Sequence, residues 1–121
     1  MGDMFINTTN NVNYKPNSRE INPKIIKNKA GHTVVLFNYK NEPDLGRIAT
    51  EYDKNGKPLL TTAFYQQGGS CTEMLSGSKK GNQYYRNKDG ELNFFNDAKT
   101  GFSYKIGSDG KFENAGSYKS E

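Results

Sequence analysis

Short apolar and aromatic runs recur along this chain, each bounded by Asn, Asp, Gly or Pro. Thr33-Val-Val-Leu-Phe-Asn-Tyr39 is β-branched or aromatic almost throughout and predicts a strand. Glu42-Pro-Asp-Leu reads as a turn, Gly46 to Tyr52 as a second strand and Leu59 to Gln66 as a third. Pro58 donates no hydrogen bond and belongs at a strand start or an outward-facing position. Gly68-Gly69-Ser70 opens a loop with a mobile approach to Cys71, and Ser76-Gly-Ser-Lys-Lys-Gly81 forms another. Between them, Cys71 to Leu75 fits a short strand or a helical turn. Asn82 to Arg86 pairs with Leu92 to Phe95, and Phe102 to Ile106 with Lys111 to Glu113. Asn96 to Gly101 turns between the two hairpins, and Tyr118 closes the sheet or frays.

Three segments share one local grammar: Tyr52-Asp-Lys-Asn-Gly-Lys, Tyr85-Arg-Asn-Lys-Asp-Gly-Glu and Tyr104-Lys-Ile-Gly-Ser-Asp-Gly-Lys. Asn-Gly and Asp-Gly favour type I′ hairpin turns, where both central residues take φ > 0. The expectation is an all-β fold: an antiparallel meander of about seven or eight short strands. It would close into a small barrel or form a strongly curved sheet, since closure removes exposed edges. Gly56, Gly90 and Gly110 are irregularly spaced, which argues against a solenoid.

Residues 1–30 differ from the rest: they are rich in Asn, Thr, Lys and Pro, and Pro16 and Pro23 break any helix. They read as a basic arm, flexible over its first dozen residues, with a short extended or single-turn element near Ile21, Ile25 and Ile26. Residues 31–121 read as a single β domain. Hydrophobic residues make up only 32% of the 121, so seven Phe and eight Tyr must carry much of a thin core.

Charge sharpens the picture because of where it lies. The net charge is +4, and residues 1–40 alone hold six basic against two acidic side chains. The remainder is balanced. A second basic group comprises Lys79, Lys80, Arg86 and Lys88. With Lys24, Lys27 and Lys29 these are candidate contacts for an acidic protein or RNA, unless they only solubilise the surface. Tyr84-Tyr85 puts one ring on each sheet face, and Tyr85 beside the basic group would stack bases or anchor a protein. No apolar run is long enough to span a membrane. The first residues lack the basic and apolar stretches of a secretory leader, and no compartment is assigned.

His32 is the only histidine and follows Gly31 at the start of the strongest strand. Metal-independent RNA cleavage needs a base, an acid and a cation for the phosphorane. His32, Glu51 and Arg47 have those chemistries, and Arg47 and Glu51 sit four apart, on one face of a strand. Thr61, Thr62 and Tyr65 would add hydroxyls. The plainer reading makes His32 a surface residue and Arg47–Glu51 an ordinary ion pair. One His, one Cys and scattered acids give no metal spacing, and no cofactor motif is present. Cys71 has no evident base to activate it. Gly77-Ser-Lys-Lys-Gly81 departs from the phosphate-loop spacing and precedes a strand.

Gly46-Arg-Ile-Ala-Thr-Glu-Tyr and Lys57-Pro-Leu-Leu-Thr-Thr-Ala-Phe-Tyr resemble sheet strands of C-terminal RNase domains in bacterial polymorphic and contact-dependent toxins. The resemblance covers roughly residues 31–66 and implies His32, Arg47, Thr62 and Tyr65 as site residues. Unlike those domains, this chain continues for about fifty residues and shows no preceding helices. Tyr52-Asp, Ser76-Gly-Ser…Tyr85 and Leu92-Asn-Phe-Phe are similar to segments of small β-barrel lysozyme inhibitors, without their disulfides or tryptophan. The tyrosine–turn–glycine units also look like the YD-type hairpins of large secreted bacterial proteins. Two functions follow: a non-catalytic basic module binding an acidic protein or RNA, or a metal-independent RNase. The first is placed ahead because the catalytic signals are few.

Overall fold

The alternating runs form nine antiparallel strands, each hydrogen-bonded to its neighbours in sequence. They are β1 (Glu20–Lys27), β2 (Thr33–Tyr39), β3 (Leu45–Tyr52), β4 (Pro58–Tyr65) and β5 (Ser70–Met74). β6 (Gln83–Arg86), β7 (Leu92–Asp97), β8 (Phe102–Ile106) and β9 (Phe112–Ser117) complete the order. The structure is a computed structural model that describes residue 12 and residues 14–119. Among these there is no helix.

The all-β meander is as expected, with two corrections. Among the described residues there are nine strands, because β1 lies within the stretch read as an arm and Ser70–Met74 settles as a strand. The sheet is also open, with no pairing between β1 and β9, so the barrel alternative is not formed. The edges are blunted instead. β1 carries a register shift at Asn22 (φ 56°) and Pro23, with Lys24 and Lys27 beyond it. β9 is wholly exposed and breaks register near Gly116. Irregularity and charge on edge strands oppose edge-to-edge pairing. The expected flexibility of the first dozen residues falls on positions 1–11, outside the described residues, and on Val12, which is buried in the core.

The turns differ in type from the expectation. At the first Asn-Gly, the amide of Gly56 donates to Asp53 O and that of Asp53 to Lys57 O. Only Gly56 has positive φ (85°); Asn55 does not. This is a three-residue loop, a type I turn closed by a glycine bulge, not type I′. The side chain at the loop start explains the choice. Asp53 Oδ1 accepts from the amides of Asn55 and Lys57 at 2.8 and 2.9 Å, which holds a type I turn. Asn87 does the same for Asp89 and Glu91, and Asn28 for Ala30 and His32. The Asn28 hairpin has the same spacing but no Asn-Gly pair, and the sequence reading missed it.

Register assigns side chains to faces. The first face carries Val35, Phe37 and Ile48, which with Val12 are the buried apolar residues among those described. Tyr14 stacks on Phe37 (6.1 Å between centroids, 10° between planes), and its hydroxyl donates to Glu20. Val12 and Tyr14 thus cap the sheet over β2. Farther along, this face turns polar: Asn96 donates to Gln83 at 2.8 Å and accepts from Ser103.

The second face carries Val34, Leu36, Ala49, Thr62, Thr72, Tyr84, Phe95 and Tyr104, strand by strand. Phe95 packs on Tyr84, Tyr104 and Phe112, with centroids 5.9, 5.0 and 5.2 Å away. Those contacts join β6 to β9 side by side. Among the described residues nothing covers this face.

Candidate functional site

The Asn28 hairpin builds the most ordered polar cluster. Asn28 Oδ1 accepts the His32 amide at 3.0 Å and fixes the turn. Asn28 Nδ2 donates to Glu51 Oε2 at 3.0 Å, and the same oxygen lies 2.6 Å from His32 Nδ1. One asparagine therefore sets the loop and orients the carboxylate that meets the ring. His32 and Glu51 are both about three-quarters buried at the side chain, with 26% and 23% exposed. With Nδ1 engaged, Nε2 is the nitrogen without a partner among the described residues. A carboxylate-oriented imidazole is the arrangement a general base requires.

The other proposed catalytic residues do not converge on it. Arg47 shares the strand face with Glu51 but lies about 13 Å away along β3 at normal strand rise. Its guanidinium donates to Asn22 O at 3.3 Å, so Arg47 and Glu51 form no ion pair. Thr62 is on the same face, one strand over, and shares a hydroxyl bond with Thr72 at 2.8 Å. Tyr65 is on the opposite face, beside Cys71 and Glu73.

The basic candidates are also dispersed. Lys79 and Lys80 lie in the β5–β6 loop, and Arg86 and Lys88 at the other end of β6, so the cluster in sequence is split in space. Lys24 is on the second face, Lys27 on the first, and Lys29 in the β1–β2 turn. Tyr85 faces away from Arg86, packs edge-on against Phe94 at 5.4 Å and sits across the strand pair from Cys71. Burial, then the neighbouring Cys71 side chain, pushes the Tyr85 phenol up to about 12. Burial also raises the Cys71 thiol, the reverse of what a nucleophile needs. The ring that shares a face with Arg86 is Tyr84.

Gly68 and Gly69, read as a mobile loop start, instead make a tight seam. Both have positive φ (102° and 86°). A Cβ on Gly69 would sit 2.8 Å from Arg86 O. The seam locks the β4–β5 turn against the end of β6, where Arg86 projects onto the second face.

Next to Arg86 is a groove of about 410 Å³, lined by Leu60, Thr62, Thr72, Met74, Tyr84, Arg86 and Leu92. It exists because Thr62 and Thr72 are short where flanking positions are long. No local pattern points to it, since its lining comes from four strands.

No known family, curated protein or solved structure matches the chain. Among the described residues no group of three His, Cys, Asp or Glu side chains could hold a metal. Among the described residues no helix is long and apolar enough to cross a membrane.

Proposed function

We propose that this chain is a non-catalytic β-sheet module that binds an acidic partner, with the second face as its contact surface. The observation that carries this reading is the uncovered second face. It leaves Ile26, Phe64, Phe102, Ile106 and Phe112 between 39% and 45% exposed. A sheet face of this composition is ordinarily buried against another layer, and the adjoining exposed side chains Ile106 and Phe112 on β8 and β9 are the kind of apolar surface that marks interaction sites. The +4 net charge favours an anionic partner. The test is anisotropy titration of the full chain against two labelled anionic polymers, poly-L-glutamate and oligouridylate. Binding of at least one, weakening steeply with salt and without turnover, is expected. Absence of binding to both at low salt refutes the reading.

A second reading, a metal-independent RNase of the toxin type, is favoured by one contact, His32 Nδ1 to Glu51 Oε2 at 2.6 Å. It requires fragments from total RNA incubated in EDTA with wild type and none with His32→Ala. Intact RNA in both lanes retires it.

A further inference from the structure

We infer that the groove over the Thr62–Thr72 pair takes an apolar or aromatic side chain of an acidic peptide, with Arg86 receiving an adjacent carboxylate. This rests on the binding-module reading and names its partner class. The floor is polar but satisfied, since the two threonine hydroxyls bond each other at 2.8 Å. The walls, Leu60, Met74, Tyr84 and Leu92, are apolar or present a ring. The volume falls in the roughly 300–1,000 Å³ range of pockets that enclose small groups. Such a site rewards an apolar anchor.

Arg86 supplies the charge. It is exposed, and among the described residues its guanidinium bonds to Gly90 O at 3.3 Å. Among the described residues the ion pair between Lys or Arg and a carboxylate is Arg19–Glu42, so no carboxylate answers Arg86. A guanidinium keeps a planar fork of donors that a carboxylate fills with two parallel bonds. An unanswered cation beside an apolar depression is complementary to an anchor side chain flanked by Asp or Glu.

The same charge count disfavours RNA here. Strands bind single-stranded nucleic acid with a basic track and successive stacking rings. Register puts Lys24, Arg47 and Arg86 on the second face along with Glu51 and Asp97, which leaves no such track.

The experiment selects binders to the full chain from a random-peptide phage library and titrates a recovered peptide into wild type and variants. The expected consensus pairs Asp or Glu with Leu, Phe or Trp. Arg86→Gln should weaken binding about tenfold, as should Thr72→Leu, which fills the floor, while Lys79→Gln/Lys80→Gln leaves it unchanged. Peptides that bind Arg86→Gln and Thr72→Leu as tightly as wild type overturn the groove but spare the module reading. No recovered peptide, with oligouridylate bound, overturns the peptide in favour of nucleic acid. A dimer by sedimentation that Thr72→Leu dissolves overturns it in favour of self-association. No binding of peptide, poly-L-glutamate or oligouridylate overturns both readings.

Discussion

Replacing Phe37 with alanine should be the most damaging single truncation in the sheet. The ring is 5% exposed and sits among Val12, Val35 and Ile48. It stacks under Tyr14 and meets Tyr39 edge-on at 5.3 Å. Truncating a buried phenylalanine costs about 3–5 kcal/mol, and two lost ring pairs place Phe37 in the upper half of that range. A domain of this size holds on the order of 5–15 kcal/mol in total, and one with so few fully buried apolar side chains belongs near the bottom. Phe95 is the internal control. It touches three rings but is half-buried, so Phe95→Ala should cost about 2 kcal/mol, mostly from lost ring pairs at about 0.5–1.5 kcal/mol each. Urea unfolding followed by tyrosine fluorescence separates them. With a slope of about 1–3 kcal/mol per molar, Phe37→Ala should lower the midpoint by at least about 1 M and Phe95→Ala by less. A loss under about 1 kcal/mol for Phe37→Ala, or a larger loss for Phe95→Ala, would show that the capped cluster over β2 is not the core.

Three further outcomes are expected. Thr33 is 1% exposed and its hydroxyl has no partner among the described residues, so Thr33→Val should raise stability by about 1 kcal/mol in the same urea assay. Gly69→Ala should destabilise by more than about 1 kcal/mol, because φ is +86° and the new Cβ meets Arg86 O; a thermal midpoint equal to wild type would contradict the seam. Burial raises the phenols of Tyr14, Tyr52, Tyr65 and Tyr85, so the fold favours their neutral forms. That contribution is fully present below the ordinary tyrosine pKa of about 10 and is lost as pH rises through the folded values. Phenolate absorbance should therefore show a late group titrating around 12 or with unfolding, reduced in Tyr85→Phe; a single transition near 10 for all tyrosines rules this out.

Most of the sheet was legible because strand signals and turn residues agree. Thr33–Tyr39, the Pro58 start and the hairpins around Gly56, Gly90 and Gly110 all fall where alternation and Asn-Gly or Asp-Gly put them. β1 was obscured by Pro23 and Asn22, which break alternation inside the strand itself. Turn type was misread because the dipeptide drew attention from Asp53 and Asn87, whose carboxylate and amide oxygens decide the loop. The His32–Glu51 contact followed from strand pairing, yet its orienting partner Asn28 needed the loop-start spacing to be noticed. The groove was not legible at all. A depression is a difference in side-chain length across strands far apart in sequence, and no local pattern encodes it.

Because every strand pairs only with its sequence neighbours, the sheet has no closure condition to satisfy. In a barrel, strand number, tilt and stagger are linked, and adding strands changes the whole. Here one more hairpin, or one fewer, would leave every other pairing in register and every side chain on its own face. Length is thus a free variable for this architecture: duplication of a hairpin with its own turn residues extends both sheet faces without redesigning what is already folded.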